Sequence, residues 1–283
     1  MPELPEVETV RKGLEKLLKD FYIKKIEVLK ERSISSVGGS KEFIDNIENS
    51  YLGNWERRGK YLIASLQTRG KNDKGYLVVH LRMTGLFKLI DKQTPPCSHT
   101  RVRFFEKGGK ELRFIDVRNF GEMWFVPKTK SVPEIVSGIK RLGPEPFSEN
   151  FNSTYLKNYL KTKKRSIKSA LLDQETVAGV GNIYADESLF DAGINPQTES
   201  KNLKKIELNR LCKSLVKILK ISIGEGGTTF SDFRDLEGIN GNYGGQAWVY
   251  RRGGKDCKKC GEKILREKIC GRSTHWCPNC QKK

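Results

Sequence analysis

Cys257-Lys-Lys-Cys-Gly-Glu-Lys-Ile-Leu-Arg-Glu-Lys-Ile-Cys-Gly-Arg-Ser-Thr-His-Trp-Cys-Pro-Asn-Cys280 sits almost at the end of the chain. Two CxxC pairs, Cys257/Cys260 and Cys277/Cys280, flank sixteen residues, the spacing of two knuckles that turn four thiolates onto one tetrahedral ion. Zinc suits such a donor set, and four sulfurs leave it no open coordination position, so the ion is structural and holds a hairpin too small to fold on its own core. Cys97, Cys212 and Cys270 read as buried small hydrophobes rather than ligands, and His275 is a weaker ligand candidate than the four paired cysteines. Seven cysteines, an odd number, argue for a metal site in a reducing compartment rather than a disulfide framework. Between Arg251 and Lys283 lie eleven Lys or Arg and three acids, so the module is a basic hairpin suited to lie against phosphates.

The rest of the chain carries the same sign. Its 283 residues include 53 Lys and Arg against 34 Asp and Glu, a net charge of +19, which points to a polyanionic partner and first to nucleic acid. A hydrophobic content of 36% suffices for two separate cores. An anionic membrane is the competing partner, but no apolar run approaches the ~20 residues that span a bilayer. The acidic, proline-bearing start differs from a secretory signal, so the expectation is a soluble intracellular protein.

Short β-branched and aromatic runs recur from Tyr22 to about Val126: Lys60 to Leu66, Tyr76 to Leu81, Arg101 to Phe105, Glu111 to Ile115 and Met123 to Val126. Gly-rich or Asn/Asp-rich turns separate them, which predicts a mostly antiparallel β-sandwich or barrel. A helix precedes them, with Val7, Val10, Leu14, Leu17 and Leu18 on one face. After the proline-rich connection at 127–146, helical patterns cover Phe151 to Leu160, Ser166 to Leu172, Ile183 to Phe190 and Lys204 to Ile223, and a glycine-rich loop follows. The class is α+β. Its expected division is a catalytic β-sandwich domain at 1–130, a linker at 131–150, a helical domain at 151–245 and a zinc finger at 246–283.

Met1-Pro-Glu-Leu-Pro-Glu-Val-Glu-Thr9 is the candidate catalytic stretch. Loss of Met1 leaves a proline amine beside Glu3, and an α-amino group titrates near pH ~8, so a useful fraction is unprotonated at neutral pH. A secondary amine that attacks a sugar carbon collapses to an obligatorily cationic iminium, an electron sink. By itself the same stretch also reads as the first turn of a helix, where proline and acids are common. Gly179-Val-Gly-Asn182, feeding a helix behind the basic run Lys157 to Lys168, is a ready phosphate site, although alone the motif is weak and N-cap is the commoner role for an Asn at such a place. Lys60 opens a strand and points either into a cleft or to a solvated edge. Met83, Arg118 and Phe120 supply a long apolar chain, a planar cation and a ring, groups able to fill the space left by an extruded base. Singly, each also fits core packing or a surface ion pair.

Taken together, MPELPEVETV, RRGKY, LRMTG, DVRNFG, LGPEPF, GVGNIYADE, GGTTFSDF and the double CxxC, in that order, resemble the bacterial formamidopyrimidine-DNA glycosylases. The resemblance spans both ends and the middle of the chain. It implies an N-terminal β-sandwich, a helix-two-turn-helix domain and a zinc-finger β-hairpin, with double-stranded DNA containing oxidised purines such as 8-oxoguanine as partner. It further implies that Pro2 forms the Schiff base, that Glu3 donates a proton, and that Lys60 and Arg272 serve β- and δ-elimination. His99, Arg118, Lys164 and Asn182 match DNA-contacting positions, Met83, Arg118 and Phe120 the void-filling trio, and the stretch from Thr228 to Tyr243 a loop closing over a flipped base. One structural zinc and no organic cofactor are implied, in a cytoplasmic, nucleoid-associated bacterial enzyme; no long apolar stripe is left unassigned in the sequence, which points to a monomer. Ser98 departs from the basic residue expected beside His99, and the 240–245 loop is more glycine-rich than in many relatives. Two other readings fit parts of the pattern: an endonuclease VIII-like glycosylase for oxidised pyrimidines, and a non-catalytic zinc-ribbon DNA binder.

Overall fold

The structure, a computed structural model, describes residues 1–91, 94–228 and 241–282. They divide into two compact units, Met1–Lys140 with Gly226–Gly241, and Arg141–Glu225 with Asn242–Lys283.

In the first unit, helix α1 (Leu4–Leu17) buries Leu4, Val7, Val10 and Leu14, the apolar stripe visible in sequence. Its start is closed by a capping box in which the Glu6 carboxylate accepts the Glu3 N–H at 2.8 Å. Strands β1 (Tyr22–Val28), β2 (Ser50–Arg58), β3 (Tyr61–Gln67), β4 (Asp73–His80), β5 (Gly85–Asp91), β6 (Thr100–Glu106), β7 (Lys110–Asp116) and β8 (Glu122–Pro127) follow, with helix α2 (Gly39–Ile47) between β1 and β2. All strand pairs are antiparallel, and the order across the sheet is β5-β7-β6-β1-β2-β3-β4-β8.

One aromatic contact shows that this sheet is a sandwich. Phe87 on β5 and Trp55 on β2 are four inter-strand steps apart, about 19 Å in a flat sheet, yet their ring centroids lie 6.3 Å apart. The sheet therefore folds over so that its two halves share one core, which also takes in Ile23, Leu62, Phe104, Phe114 and Met123. The sequence pattern showed β3, β4, β6, β7 and β8 but not β1, β2, β5 or α2. β1 interleaves its two isoleucines with lysines, and the pairing of β2 shifts register between Leu52 and Trp55, which breaks the two-residue alternation. Short helices α3 (Val132–Ile135) and α4 (Ser137–Lys140) end the first stretch of the unit.

The second unit contains α5 (Ser153–Leu160), α6 (Ile167–Leu172), α7 (Asn182–Asp191), α8 (Lys205–Gly224) and the short α9 (Tyr243–Gln246), then a hairpin of β9 (Leu265–Ile269) and β10 (Arg272–Trp276). Asn152 caps α5 by accepting the Tyr155 N–H, and Ser166 caps α6 by accepting the Ser169 N–H. α7 is buried at every position from Tyr184 to Phe190, so it is the central helix. α8 turns Leu208, Leu211, Leu215, Ile218 and Leu219 inward and leaves Lys213, Lys217 and Lys220 exposed. Among the described residues no helix is long and apolar enough to cross a membrane.

Candidate functional site

The N-terminal corner is built by polar contacts around α1. Pro2 is buried behind Met1, which is 56% exposed, and Glu3 is buried beside it. Glu6 spans two segments: one carboxylate oxygen accepts the Glu3 N–H and the other accepts the Thr228 N–H at 2.8 Å. Gly227 lies so close that a Cβ there would meet the Glu6 carboxylate at 2.9 Å, and its φ of +81° also favours glycine. Lys60 sits in the turn between β2 and β3 and is only 7% exposed, so it does not lie at a solvated edge. That turn is pinned to α1 by Arg57, whose guanidinium donates to Glu8 at 3.0 Å and to the Gly59 carbonyl at 3.1 Å.

His80, which pairs with Tyr61 across β3 and β4 and meets its ring edge-on at 4.5 Å, is buried beside this turn. Burial, then the positive charges of Arg82 and Lys60, push it down from 6.5 to about 3. Its Nδ1 accepts the Arg82 N–H at 2.9 Å, which fixes the neutral tautomer. The unfolded chain takes up this proton near pH 6.5 and the folded chain only near pH 3, so stability is lost as pH falls through that window. His80→Asn keeps an acceptor and removes the titration. Urea midpoints compared between pH 6.5 and 4 are expected to show a shallower acid loss in the variant, by up to ~1.4 kcal/mol per pH unit. Parallel curves would refute the assignment.

Met83, Arg118 and Phe120 come together on neighbouring turns. Met83 is 37% and Phe120 43% exposed, and the Arg118 guanidinium lies 5.0 Å from the Phe120 ring centroid. The fully buried Asp116 carboxylate sets this geometry: it accepts from Thr84 Oγ1, from the Arg118 N–H at 3.2 Å and from the Gly121 N–H at 2.7 Å. Thr84 Oγ1 in turn accepts the Arg118 N–H at 3.0 Å. An apolar chain, a cation and a ring are thus held outward on a rigid base. His99 is exposed on the turn before β6.

In the second unit the four paired cysteines converge, with all four sulfurs within 4.8 Å of one another. Sulfurs on a tetrahedral zinc stand about 3.8 Å apart for a Zn–S distance of ~2.3 Å; Cys257 and Cys280 are at 3.9 Å and Cys260 and Cys277 at 3.4 Å. Hydrogen bonds from Asn279 and the Glu262 backbone pull the Cys260 thiol down to about 6, whereas burial and the neighbouring sulfurs push Cys280 up. Four thiols this close cannot all ionise unless a cation sits among them, so the donor set fits one zinc ion. The β9–β10 hairpin turns through Cys270 and Gly271, both at positive φ, and presents Arg272 exposed at the start of β10; its place on this turn leaves Cys270 exposed, as Cys97 is, so of the three unpaired cysteines expected to be buried only Cys212 is.

Buried charge fixes that hairpin to the helices. Lys168 Nζ lies 2.6 Å from Asp186 and donates to Thr274 Oγ1 at 2.8 Å and the Ser273 carbonyl at 2.9 Å, while Asp186 accepts the His275 N–H. Glu187, fully buried, accepts the N–H groups of Trp248, Val249 and Tyr250; burial pushes its carboxyl up against their pull. Asn182 is the first residue of α7, Gly181 being the N-cap, and its amide donates to the Ser273 carbonyl at 2.9 Å, beside Arg272. Lys164 is exposed ahead of α6. The expected capping loop from Thr228 to Tyr243 lies outside the described residues except at its ends. Glu6, Asp116, Thr84, Lys168, Asp186 and Glu187 support these sites, and the sequence reading did not single them out.

Residues 1–123 match the formamidopyrimidine-DNA glycosylase N-terminal domain, 142–234 the formamidopyrimidine-DNA glycosylase H2TH domain, and 254–283 the zinc finger found in FPG and IleRS. Over 282 residues the chain is 81% identical to the formamidopyrimidine-DNA glycosylase of Prochlorococcus marinus (strain NATL1A), covering 100% of both. Lactococcus lactis FPG bound to Fapy-dG-containing DNA superposes with a TM-score of 0.89 at 34% identity, covering 99% of this chain and 100% of that one. Wild-type Lactococcus lactis FPG bound to DNA containing an oxidised pyrimidine gives a TM-score of 0.90 at 34% identity, covering 100% of both chains.

Proposed function

The chain belongs to the formamidopyrimidine-DNA glycosylase family, a base-excision repair enzyme of α+β fold with a four-cysteine zinc finger, and from that premise we propose how its own residues carry the reaction. With Met1 removed, the Pro2 nitrogen attacks the sugar carbon that bears the damaged base. The new N–C bond forms as the glycosidic bond breaks, and the base leaves with the electron pair and takes a proton. Glu3 protonates the ring oxygen or the departing base, so the sugar opens to an iminium. The iminium acidifies the adjacent sugar proton, whose removal expels the 3′-phosphate, and a second elimination expels the 5′-phosphate. Water then frees Pro2. Lys60 serves the first elimination and grips a phosphate, and Arg272 serves the second.

His99, Lys164 and Asn182 contact the DNA backbone, while Met83, Arg118 and Phe120 occupy the space of the extruded base. We place the work in the cytoplasm, on nucleoid DNA, by a monomer.

The observation that carries this reading is the N-terminal corner. Pro2, Glu3 and Lys60 are buried polar or amine-bearing positions that Glu6 and Arg57 hold in place, an arrangement that a frayed helix start would not need. Oxidised purines are the primary substrates. Oxidised pyrimidines are a second class, favoured by the Lactococcus complex with such a lesion. Single-turnover cleavage of 8-oxoguanine:cytosine and thymine glycol:adenine duplexes is the test: the purine is expected to be cut at least about tenfold faster, ~1.4 kcal/mol of barrier. Lys60→Ala is expected to slow strand cleavage more than base release. Faster cutting of thymine glycol would reverse the substrate order, and an unchanged cleavage rate in the variant would remove Lys60 from the chemistry.

A further inference from the structure

Arg101, near the start of β6, is 6% exposed, and among the described residues its guanidinium meets no carboxylate. All of its reach goes to three backbone carbonyls. Nε donates to Asp116 at 2.7 Å, one terminal nitrogen to Ser98 at 3.2 Å and the other to Val117 at 3.4 Å. Ser98 immediately precedes His99, and Val117 immediately precedes Arg118. The two turns are also joined directly, since the Asp116 N–H donates to the His99 carbonyl at 2.9 Å. A guanidinium buried against neutral acceptors costs more than an apolar side chain of the same size. What it provides in return is geometry: a planar fork of five N–H donors that a lysine ammonium cannot reproduce.

We propose that Arg101 is a positioning residue that locks the His99 turn and the Arg118–Phe120 turn into one rigid body, so that phosphate capture and filling of the vacated base position occur together. This rests on the roles given above to His99, Arg118 and Phe120. The lock acts on extrusion of the damaged base. It is not needed for iminium chemistry at a sugar that has already lost its base, where there is no base to extrude.

Arg101→Lys, in the full chain, retains the charge and loses the fork. Three rates separate the roles: single-turnover excision of 8-oxoguanine, strand cleavage at a preformed abasic site, and unstacking of a 2-aminopurine placed next to the lesion. Excision and unstacking are expected to slow at least about tenfold while abasic cleavage changes by less than about threefold. Intact abasic cleavage also reports that the variant is folded. An equal fall in excision and abasic cleavage, or no fall in either, would overturn the proposal. Arg118→Ala, run in parallel, separates the two levels of inference. If it slows excision and Arg101→Lys does not, the lock alone fails; if it leaves excision unchanged, the wedge reading fails and takes the lock with it.

Discussion

Borohydride added during turnover on an 8-oxoguanine:cytosine duplex is expected to fix the DNA to this chain through a single reduced bond at Pro2. The chemistry demands an unblocked secondary amine. Its adduct has no N–H to lose and is cationic at every pH, so it is always reducible and always an electron sink. Two alterations test different parts of that statement. An N-terminal extension that stays attached turns the Pro2 nitrogen into an amide, and excision and trapping are expected to fall at least about a thousandfold, ~4 kcal/mol of barrier. Pro2→Gly keeps an amine but makes it primary and frees the backbone, so trapping weakens without vanishing. Mass spectrometry of the intact protein must show Met1 absent in the unaltered chain. A crosslink at Lys60 instead, with the extended chain still active, would move the nucleophile to that buried lysine, an amine-bearing rival in the same compact unit.

The corner also shows how far sequence reasoning reaches. The CxxC pairs are legible because their chemistry depends on neighbours in sequence, as does that proposed for Pro2 and Glu3, and α1 because its apolar stripe repeats locally. Glu6 was not legible, although it sits among those same residues, because its second partner, Thr228, is 222 positions away. The same holds for Asp116 with Thr84, Lys168 with Ser273 and Thr274, and Glu187 with the backbone at 248–250. Each is a charged residue that composition places on the surface, and each is buried because the fold brings it a distant partner. Lys60 shows the opposite limit: its place at the start of a strand is legible, and only its burial, which sequence does not carry, excludes a solvated edge.

Cys277→Ala is expected to remove zinc and with it tight DNA binding, leaving the helices around α7 folded. A two-stranded hairpin is at best marginally stable in water, and structural zinc contributes on the order of 10 kcal/mol or more to such modules. Cys277 is fully buried, its N–H donates to Gln281, and Gln281 donates to the Ile194 carbonyl, so the knuckle is seated on the turn after α7. Loss of the ion releases β10 at that end. The Lys168–Asp186 pair holds the other end but cannot restore the turn that carries Arg272. Zinc per chain should fall from one to none. Affinity for an abasic duplex should fall at least about a hundredfold, ~2.7 kcal/mol, and the salt dependence of the residual binding should flatten as phosphate contacts disappear. Far-UV circular dichroism should retain the helical signal. Full affinity without zinc would show that the basic hairpin holds its shape from its protein contacts alone, and the ion's place in the DNA site would have to be given up.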